Sequence, residues 1–143
     1  MQINRTGSAH WAGGFKDGRG AITTQSGALK DYPYGYASRF EGVAGTNPEE
    51  LIGAAHAGCF TMALSAVLGE AGLTATSMQT TAKVTLESVE GGFAITAINL
   101  SLVASVPGTD EATFKELAGK AKAGCPVSKA LSAVPITLDV TFS

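Results

Sequence analysis

Residues 46–72, TNPEELIGAAHAGCFTMALSAVLGEAG, decide the fold of this chain. They read as one long helix with Cys59 at its middle. Asn47 suits the N-cap, Pro48 the first helical position, and Glu50 stands three residues after Asn47 in a capping-box-like pattern. Glu49 and Glu50 place negative charge at the positive end of the helix dipole, and Gly72 is the natural stop. Leu51 to Gly69 is nineteen residues without a formal charge, close to the length of a membrane span. Gly53, His56, Gly58, Thr61 and Ser65 lower its hydrophobicity, and the remaining sequence supplies a soluble domain. An apolar helix of this kind is usually buried all round, and the reading is a central helix, packed on several sides, that keeps a thiol away from bulk water.

The flanking sequence fits a single domain over residues 1–143 with a substantial core. Hydrophobic residues make up 45% and charged residues 15%, and the net charge is −2. That balance gives no sign of nucleic-acid binding, and no basic run suggests an anionic membrane. The N-terminal MQINRTGSAHW lacks the basic-then-apolar pattern of a signal peptide. The expectation is a cytoplasmic protein, where a cysteine pair more often means chemistry or metal than a structural staple.

Before the helix, residues 2–12 read as a first strand, 13–18 as a turn and 20–24 as a second strand, giving a hairpin. Residues 26–33 connect to a stretch in which Tyr34, Tyr36, Ser38 and Phe40 alternate with Gly35, Ala37, Arg39 and Glu41, the pattern of a further strand through Val43. After the helix, Ser77 to Val89 is a long strand that turns at Glu90-Gly91-Gly92 and returns over Phe93 to Val106. Thr109 or Asp110 caps a second helix with the apolar stripe Phe114, Leu117, Ala118 and Ala121. Gly124 ends it, Pro126 begins a short helical turn, and Pro135 to Phe142 closes as a strand. The order predicts an α+β fold with mostly antiparallel sheet and a long central helix.

The chain has two cysteines, Cys59 and Cys125. Both are compatible with small core hydrophobes, and equally with a nucleophile and its resolving partner. In Ala123-Gly124-Cys125-Pro126 the thiol stands beside backbone amides that can orient or stabilise a sulfur. Cys59 is mid-helix among Ala55, Phe60, Met62 and Ala63, which raise its pKa above the usual ~8.5. A mostly ionised Cys59 at neutral pH needs a shift of roughly two to three units downward, about 3–4 kcal/mol, and a fixed cation is the source. Of Arg5, Arg19 and Arg39, the last precedes the helix among small neighbours that leave it room. It also serves as a surface arginine balanced by Glu41. Glu49 either holds such an arginine by a bidentate contact or simply complements the helix dipole.

Glu49 and Cys59 are about 15 Å apart along a straight helix and about 80° apart around it. Two copies of the helix, side by side and antiparallel, bring Glu49 of one towards Cys59 of the other, and they also cover the apolar face. The expectation is a two-fold homodimer with sites at its interface. His56, one turn before Cys59, is either a satisfied core histidine or the activator of a nucleophile. A metal site there would need further ligands, of which only His10 and Cys125 are obvious.

Asn47-Pro48-Glu49-Glu50-Leu51 with Ala54-Ala55-His56-Ala57-Gly58-Cys59-Phe60 resembles the central motif of the OsmC/Ohr family, and Lys120 to Ser128 (KAKAGCPVS) resembles its second cysteine motif. The resemblance runs over essentially the whole chain, including Ala9-His10-Trp11, Tyr34-Gly35-Tyr36 and Arg39-Phe40-Glu41-Gly42, and favours the OsmC branch. It implies an intertwined α+β homodimer and a thiol-dependent peroxidase that reduces organic hydroperoxides in preference to hydrogen peroxide. Cys59 is then the peroxidatic cysteine, forming a sulfenic acid that Cys125 resolves as a disulfide. Arg39 stabilises the thiolate and the departing alkoxide, and Glu49 orients Arg39. In the Ohr branch the arginine comes from nearer the N-terminus, which makes Arg19 its rival. The resemblance implies no cofactor and no metal, a hydroperoxide substrate, and a dithiol reductant of the lipoyl-protein kind. Two other readings differ in class: a cysteine hydrolase using Cys59, His56 and Glu49, and a non-catalytic protein binding an apolar ligand such as a fatty acid.

Overall fold

Ten elements follow one another in the computed structural model, which describes residues 1–143. They are β1 (Gly7–Ala12), β2 (Arg19–Thr24), β3 (Tyr32–Tyr34), α1 (Tyr36–Phe40), α2 (Pro48–Glu70), β4 (Ser77–Val89), β5 (Gly92–Ser105), α3 (Glu111–Gly124), α4 (Pro126–Ala130) and β6 (Ile136–Phe142). The strands form two sheets, β1-β2-β3 and β4-β5-β6, and the chain divides into two compact units, Met1–Leu51 and Ile52–Ser143. This is the expected α+β architecture.

In the first unit β1 and β2 make the predicted antiparallel hairpin, from Gly7 opposite Thr24 to Ala12 opposite Arg19. The first strand starts at Gly7 rather than at residue 2. One further backbone bond, Gln25 N to Thr6 O at 3.0 Å, extends the pairing, and the partner then turns away with Thr24 N bonding to Leu29 O at 2.9 Å, so residues 2–5 have no ladder to join. Gly20 pairs with Tyr34 on β3. A side chain there would enter the Trp11 ring at 2.7 Å, and its absence lets Trp11 and Tyr34 meet edge to face at 5.5 Å.

The strand expected over Tyr34 to Val43 is a correction. Only Tyr32–Tyr34 is extended, and Tyr36–Phe40 is the helical turn α1. Residues 36 and 40 share a face at strand spacing and at helix spacing alike, so the alternation does not discriminate. Ser38 decides it: its Oγ accepts from Gly35 N at 2.9 Å and donates to Thr46 O at 2.9 Å, a local arrangement that competes with a ladder. Tyr36, Phe40 and Phe15 then cluster, with ring centroids 4.9–6.3 Å apart.

The long helix begins and ends as its sequence prescribes. Asn47 Oδ1 accepts from Glu50 N at 2.9 Å. Glu50 Oε1 in turn accepts from the Asn47 side-chain amide at 2.7 Å, so the reciprocal bond of the capping box runs between side chains. At the other end Leu73 N bonds to Leu68 O (2.8 Å) and Gly72 N to Gly69 O (3.0 Å), with Gly72 at φ +73°. This is a Schellman cap, which requires the left-handed residue.

In the second unit β5 pairs antiparallel with β4 and parallel with β6. The parallel pair departs from an otherwise antiparallel pattern because α3 and α4 supply the long crossover that parallel neighbours need. Ile98, Leu100, Leu102 and Ala104 of β5 alternate into a core that includes Phe60, Leu64 and Leu68 of α2 and Phe114, Ala118 and Ala121 of α3. Asp110 caps α3, accepting from Thr113 N at 2.8 Å. The long helix leaves one face uncovered within the single chain, as the expected pairing with a second copy requires. Gly53, His56, Phe60, Leu64 and Leu68 form one buried stripe, whereas Ala54, Ala55, Gly58, Met62, Ser65, Ala66 and Gly69 are exposed. One sheet covers one face of a helix, and the apolar composition of the other face leaves it no less bare within this chain.

Candidate active site

Two elements bring the cysteines together. Cys59 is carried on α2, one residue before the buried Phe60. Cys125 ends α3, its N–H bonding to Ala121 O at 2.9 Å, and its carbonyl starts α4 by accepting from Lys129 N at 3.0 Å. Pro126 forces this break, since proline suits the first turn of a new helix but not the interior of an old one. The sulfurs lie 3.0 Å apart as free thiols, about 1 Å beyond bonding distance. Cys125 is fully buried and Cys59 half-buried, so an incoming reagent meets Cys59 first.

Burial pushes the Cys59 thiol up, and its contact with Cys125 adds to this, against a smaller opposing effect of the Val127 backbone. The apolar surroundings read from the sequence act as expected. Burial pushes Cys125 up as well, but hydrogen bonds with Cys59, with the Ser128 N–H and hydroxyl, and with the Val127 backbone outweigh it and bring Cys125 below the ordinary thiol value.

Arg39 stands on α1, not on a strand, and its carboxylate partner is Glu49 rather than Glu41. Arg39 Nη2 lies 2.7 Å from Glu49 Oε1, and Nε lies 3.1 and 3.3 Å from the two carboxylate oxygens. The Glu49 side chain is 10% exposed and that of Arg39 35%. Beside this pair a small cleft is lined by Trp11, Phe15, Tyr34, Tyr36, Arg39 and Phe40, with the Arg39 guanidinium 5.4 Å from the centre of the Phe40 ring. Arg19, the rival arginine, opens β2 opposite Ala12, exposed to solvent.

His56 is fully buried, and its Nε2 lies 2.7 Å from Ser128 Oγ. Its Nδ1 has no partner. Burial lowers the His56 pKa, which keeps the ring neutral at pH 7. Of the two readings of His56, the buried core histidine fits: its partner is Ser128 rather than Cys59, and Glu49 is committed to Arg39, so the set needed for a Cys-His-Glu hydrolase is engaged elsewhere. Ser128 is the residue that sequence reasoning passed over. Its partner, His56, lies 72 residues away in sequence, so no local pattern marks it.

A family model described as OsmC-like protein matches residues 40–139. The chain is 59% identical over 139 residues to the peroxiredoxin OsmC of Escherichia coli strain K12, covering 97% of this chain and 96% of that protein. It is 35% identical over 100 residues to an organic hydroperoxide resistance protein of Xanthomonas axonopodis pv. citri, covering 69% and 66% of the two chains. Among solved structures, the organic hydroperoxide resistance protein OhrB of Bacillus subtilis superposes with a TM-score of 0.70 at 31% identity, over 95% of this chain and 98% of that one. An organic hydroperoxide resistance protein OsmC of Legionella pneumophila gives 0.72 at 26% identity, over 99% and 98%.

Proposed function

This chain belongs to the OsmC family, and from that premise we propose that it is a thiol-dependent peroxidase that reduces organic hydroperoxides through Cys59 and Cys125. The observation that carries the assignment of residues is the free thiol pair at 3.0 Å, one sulfur accessible and the other enclosed.

In this mechanism the Cys59 thiolate attacks the distal oxygen of the hydroperoxide. The O–O bond breaks, the alkoxide leaves as alcohol after taking a proton, and Cys59 becomes a sulfenic acid. Cys125 displaces the sulfenic oxygen and closes a disulfide, releasing water. A dithiol of the lipoyl-protein kind returns both cysteines to thiols by exchange. Arg39, oriented by Glu49, favours the Cys59 thiolate and the charge on the departing oxygen, the same task that burial makes necessary. Apolar surroundings of a charged Cys–Arg pair favour organic hydroperoxides over hydrogen peroxide.

The working unit is a two-fold homodimer in the cytoplasm. The exposed, small-residue face of α2, with Met62 at 78% exposure, is the surface that a second copy covers.

The test is mass spectrometry of the reduced protein after one equivalent of cumene hydroperoxide, with free-thiol titration. The expected result is the loss of two thiols and a Cys59–Cys125 peptide; two unreacted thiols would overturn the reading.

A further inference from the structure

We propose that His56 and Ser128 form a buried relay that positions Cys125 for the resolving step. This rests on the peroxidase reading above. Three features of the structure carry it. His56, fully buried on α2, has Nε2 2.7 Å from Ser128 Oγ and an unpartnered Nδ1. Ser128, itself buried, is the third residue of α4, and Cys125 is the residue that starts that helix. The Cys125 sulfur lies 3.0 Å from Cys59, and the nearby Ser128 and Val127 groups oppose the upward push of burial on its pKa.

The direction of the relay follows from the donor inventory. A neutral imidazole has one N–H. With that proton on Nε2, His56 donates to Ser128 Oγ, and the Ser128 proton is free to point at the Cys125 sulfur. Every donor then has an acceptor, and only a lone pair on Nδ1 is left over. The other tautomer buries an unpaired N–H and draws the Ser128 proton towards His56, away from the sulfur. The groups that act on the sulfur are thus Cys59 from α2 and Val127 and Ser128 from α4, with His56 acting through Ser128.

The step served is resolution. The Cys125 thiolate attacks the sulfur of the Cys59 sulfenic acid, the S–S bond forms and the S–O bond breaks. The departing hydroxide combines with the proton that Cys125 gave up on ionising, and water is released. A thiolate held in place also shortens the time in which a second peroxide can take the sulfenic acid to sulfinic acid.

The test begins with Cys59→Ser, in which Cys125 is the remaining thiol, followed by its ultraviolet thiolate absorbance against pH. Adding Ser128→Ala should raise the titration midpoint by about one unit, while Ser128→Thr returns it. His56→Gln, which keeps an N–H donor, should move it less than His56→Leu. With both cysteines present, Ser128→Ala should lengthen the life of the Cys59 sulfenic acid about tenfold at neutral pH, in step with the lower thiolate fraction. An unmoved midpoint in a folded Ser128→Ala chain overturns the relay whether or not the protein reduces peroxide. A shifted midpoint with neither sulfenic acid nor disulfide after peroxide overturns the peroxidase reading, and with it the resolving role, while the stabilised thiolate stands.

Discussion

Arg39 grips the Glu49 carboxylate through a fork, with Nη2 at 2.7 Å and Nε at 3.1 Å from the same oxygen. A short helix and the first turn of a long one are joined by this pair, and the guanidinium is fixed in orientation as well as in place. A lysine supplies the charge without the fork.

Arg39→Lys should therefore lower kcat/KM for cumene hydroperoxide by roughly tenfold to a hundredfold, about 1.4–2.7 kcal/mol of transition-state stabilisation. Glu49→Gln should fall in the same range, because it releases the arginine. Steady-state rates beside circular dichroism of each variant check this. Full activity in a folded Arg39→Lys would remove Arg39 from the proposed mechanism and return attention to Arg19.

The two cysteines should fail differently. Cys59→Ser should consume no peroxide. Cys125→Ser should react once, accumulate a sulfenic acid that dimedone traps, and proceed to sulfinic acid under excess peroxide. Intact-mass analysis separates these outcomes, and sustained turnover by Cys125→Ser would show that resolution does not need Cys125.

His56 gives stability a pH dependence with a definite sign. Burial lowers its folded pKa below the unfolded value of 6.5, so the unfolded chain takes up the proton first. The contribution is complete above the unfolded pKa and is lost progressively as pH falls below it towards the folded value, at no more than about 1.4 kcal/mol per pH unit from this group. Thermal melts from about pH 7 to pH 5 should show Tm falling, and His56→Gln should flatten that fall. Equal slopes in the two proteins would show that His56 is not the group responsible.

Met62 tests the proposed dimer. Its side chain is 78% exposed on the uncovered face of α2. Met62→Glu places a charge where a second helix would pack and should turn a dimer into a monomer in light scattering after size exclusion. A wild-type monomer at micromolar concentration would sink the proposal directly.

What the sequence made legible was chemistry that acts locally. Asn47, Glu50 and Gly72 bound the long helix because caps depend on a few adjacent residues, and Ser77 to Val89 carries an alternation long enough to exclude a helix. Tyr36 and Phe40 misled because a spacing of four satisfies both periods, and the hydroxyl of Ser38 that settles it bonds to Thr46, eight residues on. The meeting of Cys59 with Cys125 across 66 residues is a property of tertiary packing, on which local pattern is silent. So is the bare side of α2, since an apolar helix does not say which of its faces finds a neighbour. Chemistry left Arg39 and Glu49 with more than one possible partner, the family resemblance paired them, and the geometry joins them.

Cys125 lies in the crossover between β5 and β6, and Cys59 in the helix packed beneath that sheet. A bond between them would therefore tie a loop of 66 residues that the unfolded chain would otherwise be free to open. Closing a loop of that size removes about 4 kcal/mol of unfolded-state entropy. Each encounter with oxidant would leave the molecule harder to melt, and each encounter with reductant would soften it again. A calorimeter could then read the redox history of a sample from its melting temperature, without any assay of its chemistry.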